Sequence, residues 1–460
     1  EKKIFLGYCC TRSMFKLSQN YWYKSGLLTL LEGSISTFLG FAGVFLLLRS
    51  LSKDAYGTWV LFFTVSSFVE MARYGMVQNA LVRFLAYTDK EQYPRIATTS
   101  FFINFGLTVF SVLLLLGLAT PLSKLWNVPE LPPMLHYYCI TTIFLTPLTQ
   151  FNFMQQANLD FKGIFFANIS YRLIFFLYVL YRFVHDHQIS LLSLAQVQTF
   201  AAMCAALLSY FLAKPYLRFS KQISLHWLYQ LLHFGKYVFG TNLVSMLSRN
   251  LDRMMLGAMH TTTEVSLYDV AIKINNLLEV PSTAIASVVY PQNAIRSQAQ
   301  GKEAVRYLYE KSVGAILAIV IPGILLFVIF AKPIVEIIAG SAYQEAAHIL
   351  VITVLFTLYI PFARQFGTIL DSSGKPRTNF LFVLTGFVLT FLCNYFFIQK
   401  YDTIGAAYGT LLAYTIMFIA NQYYLYKTYN IRTFKTFSYT LLFYKNIFLY
   451  IKNKFFNPKA

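Results

Sequence analysis

The chain returns repeatedly to apolar stretches of roughly 20 residues, the length an α-helix needs to cross the hydrocarbon core of a bilayer. Residues 26–48, 96–118, 164–184, 315–330, 380–398 and 404–426 are examples. No water at that depth can satisfy the backbone, so such continuous stretches fold as helices. Hydrophobic residues make up 57% and charged residues 12% of the 460, about half the charge of a soluble domain, which leaves no room for a sizeable aqueous domain. The predicted fold class is an all-α polytopic membrane protein with about twelve transmembrane helices and short connections.

Polar breaks fall near residues 49–54, 87–94, 123–133, 158–162, 185–190, 214–226, 260–264, 296–306, 340–344, 372–377 and 399–403. The long basic break divides the chain into a cytoplasmic leader (1–25), an N-terminal six-helix lobe (26–213), a cytoplasmic inter-lobe loop (214–230) and a C-terminal six-helix lobe (231–427). Residues 428–460 mix Lys435, Lys445, Lys452 and Lys454 with Phe, Tyr and Leu, and read as a basic amphipathic tail in the membrane interface. Lys445 interrupts the apolar run that a thirteenth span would need. Each half opens with a polar-striped helix, a short external loop and a helix start bearing Tyr56 or Tyr268. An even number of spans per half predicts parallel repeats about an axis along the membrane normal.

The net charge of +19 is dispersed over alternate loops, the pattern of the positive-inside rule and not of a nucleic-acid surface. A cytoplasmic N-terminus puts Lys2, Arg12, Arg83, Arg95, Lys214, Arg218, Arg296, Arg306, Lys375 and the tail on one side. The other side keeps Arg49, Lys53, Lys124, Arg182, Lys332 and Lys400, so both termini are expected in the cytoplasm. Cys9 and Cys10 lie in the leader, and Cys139, Cys204 and Cys393 stand singly in apolar runs, a usage without disulfide or zinc spacing. The polar, basic first 25 residues lack the shape of a cleaved signal peptide.

Charges inside the spans need partners or water, because each costs at least about 2.5 kcal/mol at mid-bilayer. Arg172, Lys236, Arg249, Arg253, Lys273 and Arg364 are basic, and Glu32, Glu70, Asp252, Asp269 and Glu279 are acidic. At helical spacing Asn242, Ser245, Arg249, Asp252 and Arg253 share an arc of about 100 degrees on the seventh span. Asp269, Lys273 and Asn276, with Glu279 at the margin, align on the eighth. Ser25, Thr29, Glu32, Ser36 and Gly43 align on the first, and Thr357, Arg364, Thr368 and Asp371 on the tenth. One wet face on each of four helices predicts a shared hydrated cavity. Local neutralisation is the competing reading, since Arg249 and Asp252, and Asp269 and Lys273, stand one turn apart.

The basic surplus favours an anion, and arginine forks suit the oxygens of a phosphate or diphosphate. Glu32 and Glu70, with Asp252 and Asp269, are the candidates for coupling to H⁺ or Na⁺, although Arg73 stands one turn from Glu70. No cofactor is expected. The external loops are too short and charge-poor for catalysis, and the stretch from Ser372 to Lys375 lacks the glycine spacing of a phosphate loop. His185, Asp186 and His187 read as a solvated turn and not a metal site. Without an ATP site, energy must come from a gradient.

Several runs together resemble a known family. The C-terminal half carries Asn250, Leu251, Asp252 and Arg253, then Leu256 and Gly257, then 265–271 ending in Tyr268, Asp269, Val270 and Ala271, then Pro291. Gly367 to Leu370, Ser373 to Lys375, and Ile404 to Ala407 follow. The N-terminal half carries Leu48, Arg49, Leu51, Tyr56, Gly57, Glu70, Arg73, Gly75, Ala80, Leu81, Arg83 and Phe84. The chain thus resembles, over about residues 25–427, the Wzx-type polysaccharide or O-antigen flippases of the multidrug, oligosaccharidyl-lipid and polysaccharide (MOP, MATE-like) transporter superfamily. The resemblance implies two six-helix lobes in a V, a cavity lined by the first, second, seventh and eighth spans, and a bacterial inner-membrane location. It implies alternating-access movement of undecaprenyl diphosphate-linked glycan to the periplasm, for lipopolysaccharide O-antigen, capsule or exopolysaccharide. Its partners would be that glycan, membrane lipid and a glycan polymerase complex. On this reading Arg249, Arg253, Lys273 and Arg364 take the diphosphate and acidic sugars, and Asn242, Ser245 and Asn276 take glycan hydroxyls. A multidrug exporter of the same fold would prefer an acidic, aromatic cavity, and a glycan polymerase or ligase would need its external loops.

Overall fold

In the computed structural model, which describes residues 19–75, 77–87, 91–185 and 188–456, the regular structure is entirely helical among the described residues. The helices are α1 (Gln19–Ser50), α2 (Lys53–Tyr74), α3 (Gln78–Tyr87), α4 (Tyr93–Trp126), α5 (Leu131–Ala157), α6 (Phe161–Val184), α7 (Leu191–Ala213), α8 (Leu225–Met259), α9 (Thr262–Asn275), α10 (Val280–Ile329), α11 (Ala331–Ala339), α12 (Ala346–Phe356), α13 (Ile360–Ser372), α14 (Pro376–Tyr429) and α15 (Thr433–Phe456). Residues 1–18 of the expected leader, Met76, residues 88–90, Asp186, His187 and the last four residues lie outside the described residues, as do the side chains of Ser25, Thr29, Lys236 and Pro291, while residues 19–25 of the expected leader begin α1.

Six helical segments are long and apolar enough to cross a membrane, and the bent pair α12 and α13 makes a seventh. The remaining spans fall short because they carry the charges and amides of the polar faces. Two segments hide a break: α10 turns at Gly301, where φ is +64°, and α14 turns at Tyr401 and Asp402, where Asp402 has φ +52°. Dividing these two, each expected span has a helix or a pair of short ones. Large apolar side chains such as Phe38 and Phe211, each 67% exposed, cover the outside, a surface that suits lipid and not water. The chain is a multi-pass helical membrane protein.

Local signals fix the helix ends. The Asp160 carboxylate accepts from the Lys162 N–H, the Ser190 hydroxyl from Ser193 and the Thr261 hydroxyl from Glu264, capping α6, α7 and α9. Asn127 and Asn430 close α4 and α14 in the left-handed conformation that asparagine tolerates.

The chain forms two compact units. One contains the described residues up to Ser50 and Val65–Gly240, and the other contains Leu51–Thr64 and the chain from Thr241 onward. In the first, α5 and α7 pack closely over small residues including Ala201, Ala202 and Ala205, all fully buried. A ladder of polar contacts runs between α4 and α5: Asn104 donates to Gln150, Gln150 donates to Ser100 at 2.7 Å, and the hydroxyls of Thr108 and Thr146 lie 2.6 Å apart.

The second unit recruits the start of α2. Gly57 lies so close to Thr262 at the start of α9 that a Cβ there would fall 1.8 Å from the Thr262 carbonyl oxygen. The tail helix α15 is seated along α10, where Thr436 and Thr440 are buried and Thr440 donates to the Gly314 carbonyl at 3.1 Å.

Candidate functional site

In the second unit the charges of the seventh and eighth spans sort themselves into two carboxylate clusters. Asp269 on α9 is 2% exposed and has two bases: Arg253 Nε of α8 at 2.7 Å and Lys273 Nζ, one turn along α9, at 2.7 Å. The Tyr56 hydroxyl of α2 donates to Asp269 at 3.0 Å and accepts from Lys273 at 2.7 Å, and Tyr343 packs edge-on against the Tyr56 ring. Two cations on one carboxylate leave this cluster with a surplus positive charge.

Asp252 on α8 is 8% exposed and meets a different set. Tyr268 donates to it at 2.5 Å, Thr410 at 3.1 Å, and Asn394 supplies an amide N–H. Arg249 makes no ion pair among the described residues, so the expected alternative pairing of Arg249 with Asp252 is not formed, whereas that of Asp269 with Lys273 is. The Asp252 carboxylate is taken up instead by Tyr268 of α9 and by Asn394 and Thr410 of α14, while Arg253 turns to Asp269 of α9. A buried carboxylate surrounded by hydroxyls and an amide, without a base, is suited to taking up a proton or a hard cation.

The remaining candidate charges, Arg249, Glu279 and Arg364, are at least partly accessible. Arg364 Nη2 lies 3.3 Å from Glu279 Oε2, with the two side chains 35% and 30% exposed. Arg249, Asn242 and Asn276 are exposed, and Ser245 is intermediate. Asn276 does not continue the face of Asp269 and Lys273, because α9 gives way at that point to the 3₁₀ turn Asn276–Glu279. The buried amide at this break is instead Asn275, which donates to the Thr353 carbonyl at 3.1 Å and accepts from Thr357 at 2.6 Å. Asp371, at the far end of the tenth-span stripe, accepts two bonds of 3.0 Å from Asn379.

In the first unit Glu70 is paired with Arg73 at 2.7 Å. Arg73 is fully buried and donates to Thr149 at 2.9 Å and Thr146 at 3.4 Å, while Tyr138 donates to Glu70 at 3.4 Å. Glu70 therefore sits in a structural lock, the local pairing that the one-turn spacing allowed. Glu32 is different. It accepts from Asn168 of α6 at 2.6 Å, and Asn168 accepts from Asn152 of α5 at 2.9 Å. Beside it opens a cavity of about 400 Å³ lined by Glu32, Gly33, Ser36, Thr37 and Arg172.

Reasoning from the sequence passed over Asn168, Asn394 and Thr410, and noted Tyr56 and Tyr268 only as landmarks of the repeat. The signal for the first three was available: each is a polar side chain inside an apolar run, and such groups find partners in a membrane interior. Among the described residues, no group of three or more His, Cys, Asp or Glu could hold a metal ion.

The fold places the chain in a class. It superposes on an inward-closed structure of the lipid II flippase MurJ with a TM-score of 0.73, at 13% identity over 91% of this chain and 90% of that one. An inward-facing multidrug resistance transporter of the MATE family gives a TM-score of 0.73 at 15% identity, over 85% of this chain and 96% of that one. At these identities the likeness shows the fold, that of the MOP-superfamily transporters. The sequence is narrower: the model of the polysaccharide biosynthesis protein family matches residues 46–348, and the chain belongs to that family. The probable low-salt glycan biosynthesis flippase Agl15 of Haloferax volcanii is 22% identical over 199 residues, 42% of this chain and 41% of that protein. An uncharacterized membrane protein of Methanocaldococcus jannaschii is 28% identical over 200 residues, 43% of this chain and 39% of that one. The matched stretch thus spans less than half the length of either curated relative.

Proposed function

We propose that this protein is a flippase that carries a polyprenyl diphosphate-linked oligosaccharide, of the undecaprenyl type, from the cytoplasmic to the outer leaflet of the cell membrane by alternating access. The observation that carries the reading is the cationic surplus of the second unit: an accessible Arg249 without an ion-pair partner among the described residues, beside an Asp269 cluster that holds two bases for one acid. Family membership and the MOP fold support it, as does the glycan-flippase name of the Haloferax relative.

In this mechanism no bond of the substrate is made or broken. Arg249 and Arg364 receive the diphosphate as bidentate forks, with Glu279 holding Arg364 when the site is empty. Asn242, Ser245 and Asn276 meet glycan hydroxyls. Arg253 and Lys273, both drawn onto Asp269, act through the field of the cluster and not as direct ligands. Asp252 takes the coupling role, because it alone among the candidate carboxylates of this unit is buried without a base and can gain or lose H⁺ or Na⁺. Both termini lie in the cytoplasm, and the product feeds surface-polysaccharide assembly, where a polymerase would receive it.

The test is external exposure of the lipid-linked oligosaccharide to a glycan-binding probe in spheroplasts with and without the protein. Loss of exposure with synthesis intact supports the flippase, and unchanged exposure removes it in favour of drug efflux. Arg249→Ala should lower exposure about tenfold, the equivalent of one bidentate contact, at unchanged expression. Normal transport would take Arg249 out of the mechanism.

A further inference from the structure

The Glu32 cavity lies in the first unit and is lined by none of the residues proposed in the flippase mechanism for the diphosphate or for coupling. Glu32 is half-buried on α1, at the start of its apolar stretch Leu31–Ser50, and Arg172 is exposed near the middle of α6; charges on such apolar helices are costly without a partner or water. Yet neither makes an ion pair among the described residues, although both line the same space of about 400 Å³. One Glu32 oxygen is fixed by Asn168 at 2.6 Å, and Asn168 is itself held by Asn152 at 2.9 Å, so the carboxylate is oriented from behind. Ser36 Oγ is buried and has no hydrogen-bond partner. Gly33 opens the wall, since a Cβ there would meet nothing within 4 Å.

A bare cation drawn to Glu32 would share the cavity with the Arg172 guanidinium, and a bare anion drawn to Arg172 would share it with the Glu32 carboxylate. Each simple ion is attracted by one wall and repelled by the other. The complementary ligand carries an anionic group at one end and hydroxyl donors at the other, and the volume lies within the range of small-molecule pockets. We propose that this cavity binds an acidic sugar, its carboxylate forked on Arg172 and its ring hydroxyls donating to Glu32 and meeting Ser36. The proposal names the sugar class that the first unit accepts, and it rests on the flippase reading for the source of that sugar.

The test titrates the full-length protein in phosphatidylcholine nanodiscs with D-glucuronate, its uncharged methyl ester and D-glucose, followed by saturation-transfer NMR. Glucuronate should bind at least about tenfold more tightly than either neutral sugar, as expected for a charge-assisted bidentate contact. Arg172→Gln should abolish that preference, and Arg172→Lys should keep part of it, because an ammonium attracts the carboxylate without the fork. Gly33→Leu fills the space without touching a charge and favours the helix, so it should fold and lose binding of all three sugars. Equal binding of glucuronate and glucose, no binding of any sugar, or unaltered binding in Gly33→Leu would overturn the proposal. Wild-type exposure of lipid-linked glycan in spheroplasts reports separately on the flippase reading, so either can fail while the other stands.

Discussion

Asp252 and Asp269 are two buried carboxylates in one unit, on consecutive helices, and they have been given opposite company. Asp269 has Arg253, Lys273 and the Tyr56 hydroxyl, and so is a fixed anion inside a cationic cluster. Asp252 has Tyr268, Thr410 and Asn394, and accepts hydrogen bonds from all three without a base in ion-pair contact among the described residues. Burial is therefore a poor guide to role. The difference lies in whether the neighbours bring a compensating charge, which decides whether a carboxylate holds structure together or remains free to exchange a proton or cation.

The contrast can be broken most severely at Asp269. Asp269→Ala leaves Arg253 and the partly exposed Lys273 around a missing anion and should destabilise the protein by about 3 kcal/mol, read as loss of monodisperse protein and a lowered Tm in detergent. Asp252→Asn should do the reverse. The amide keeps its oxygen as acceptor for Thr410 and Asn394 and turns its NH2 to Tyr268, whose hydroxyl can rotate to accept, so stability should change by about 1 kcal/mol, while glycan exposure falls at least about tenfold and no longer responds to a collapsed cation gradient. Full transport by Asp252→Asn would erase the distinction between the two carboxylates. Tyr56→Phe sharpens it on a smaller scale: it removes a hydroxyl used by both Asp269 and Lys273, and should cost about 1 kcal/mol in unfolding experiments without altering the gradient response. At the small end, Lys53→Ala at the exposed pair with Glu345, 3.8 Å apart, should move stability by less than about 0.5 kcal/mol.

Helical periodicity was sufficient to find the charged faces. It placed Asp269 and Lys273 one turn apart, and they pair as the spacing allows. It likewise anticipated Glu70 with Arg73, but gave no sign that Thr146 and Thr149 would bury the guanidinium. Periodicity failed for Asn276, because a 3₁₀ turn starts there and the register assumed for one continuous helix ends. It set Asp252 one turn from Arg249, a pair that does not form, and could not see its partners Asn394 and Thr410, 142 and 158 residues away.

The tertiary structure also reassigned a segment. Leu51–Thr64 precedes most of the N-terminal unit in sequence yet belongs to the C-terminal one, and it brings Tyr56 to Asp269 across 213 residues. Gly57 permits this, since any side chain would collide with the Thr262 carbonyl. A sequence reader sees a glycine after a tyrosine and learns nothing of the approach it enables.

What the sequence determined by itself was the solvent and the class of fold: long apolar stretches with no alternative to helix in a bilayer, and charges confined to faces that must meet partners or water. What the tertiary structure decided was which charges cancel. Pairing depends on distances of a few ångströms between residues far apart in the chain, and helical spacing fixes only the neighbours within a turn or two. The choice between a locked Asp269 and an open Asp252 therefore appeared only when α2, α9 and α14 were brought around α8.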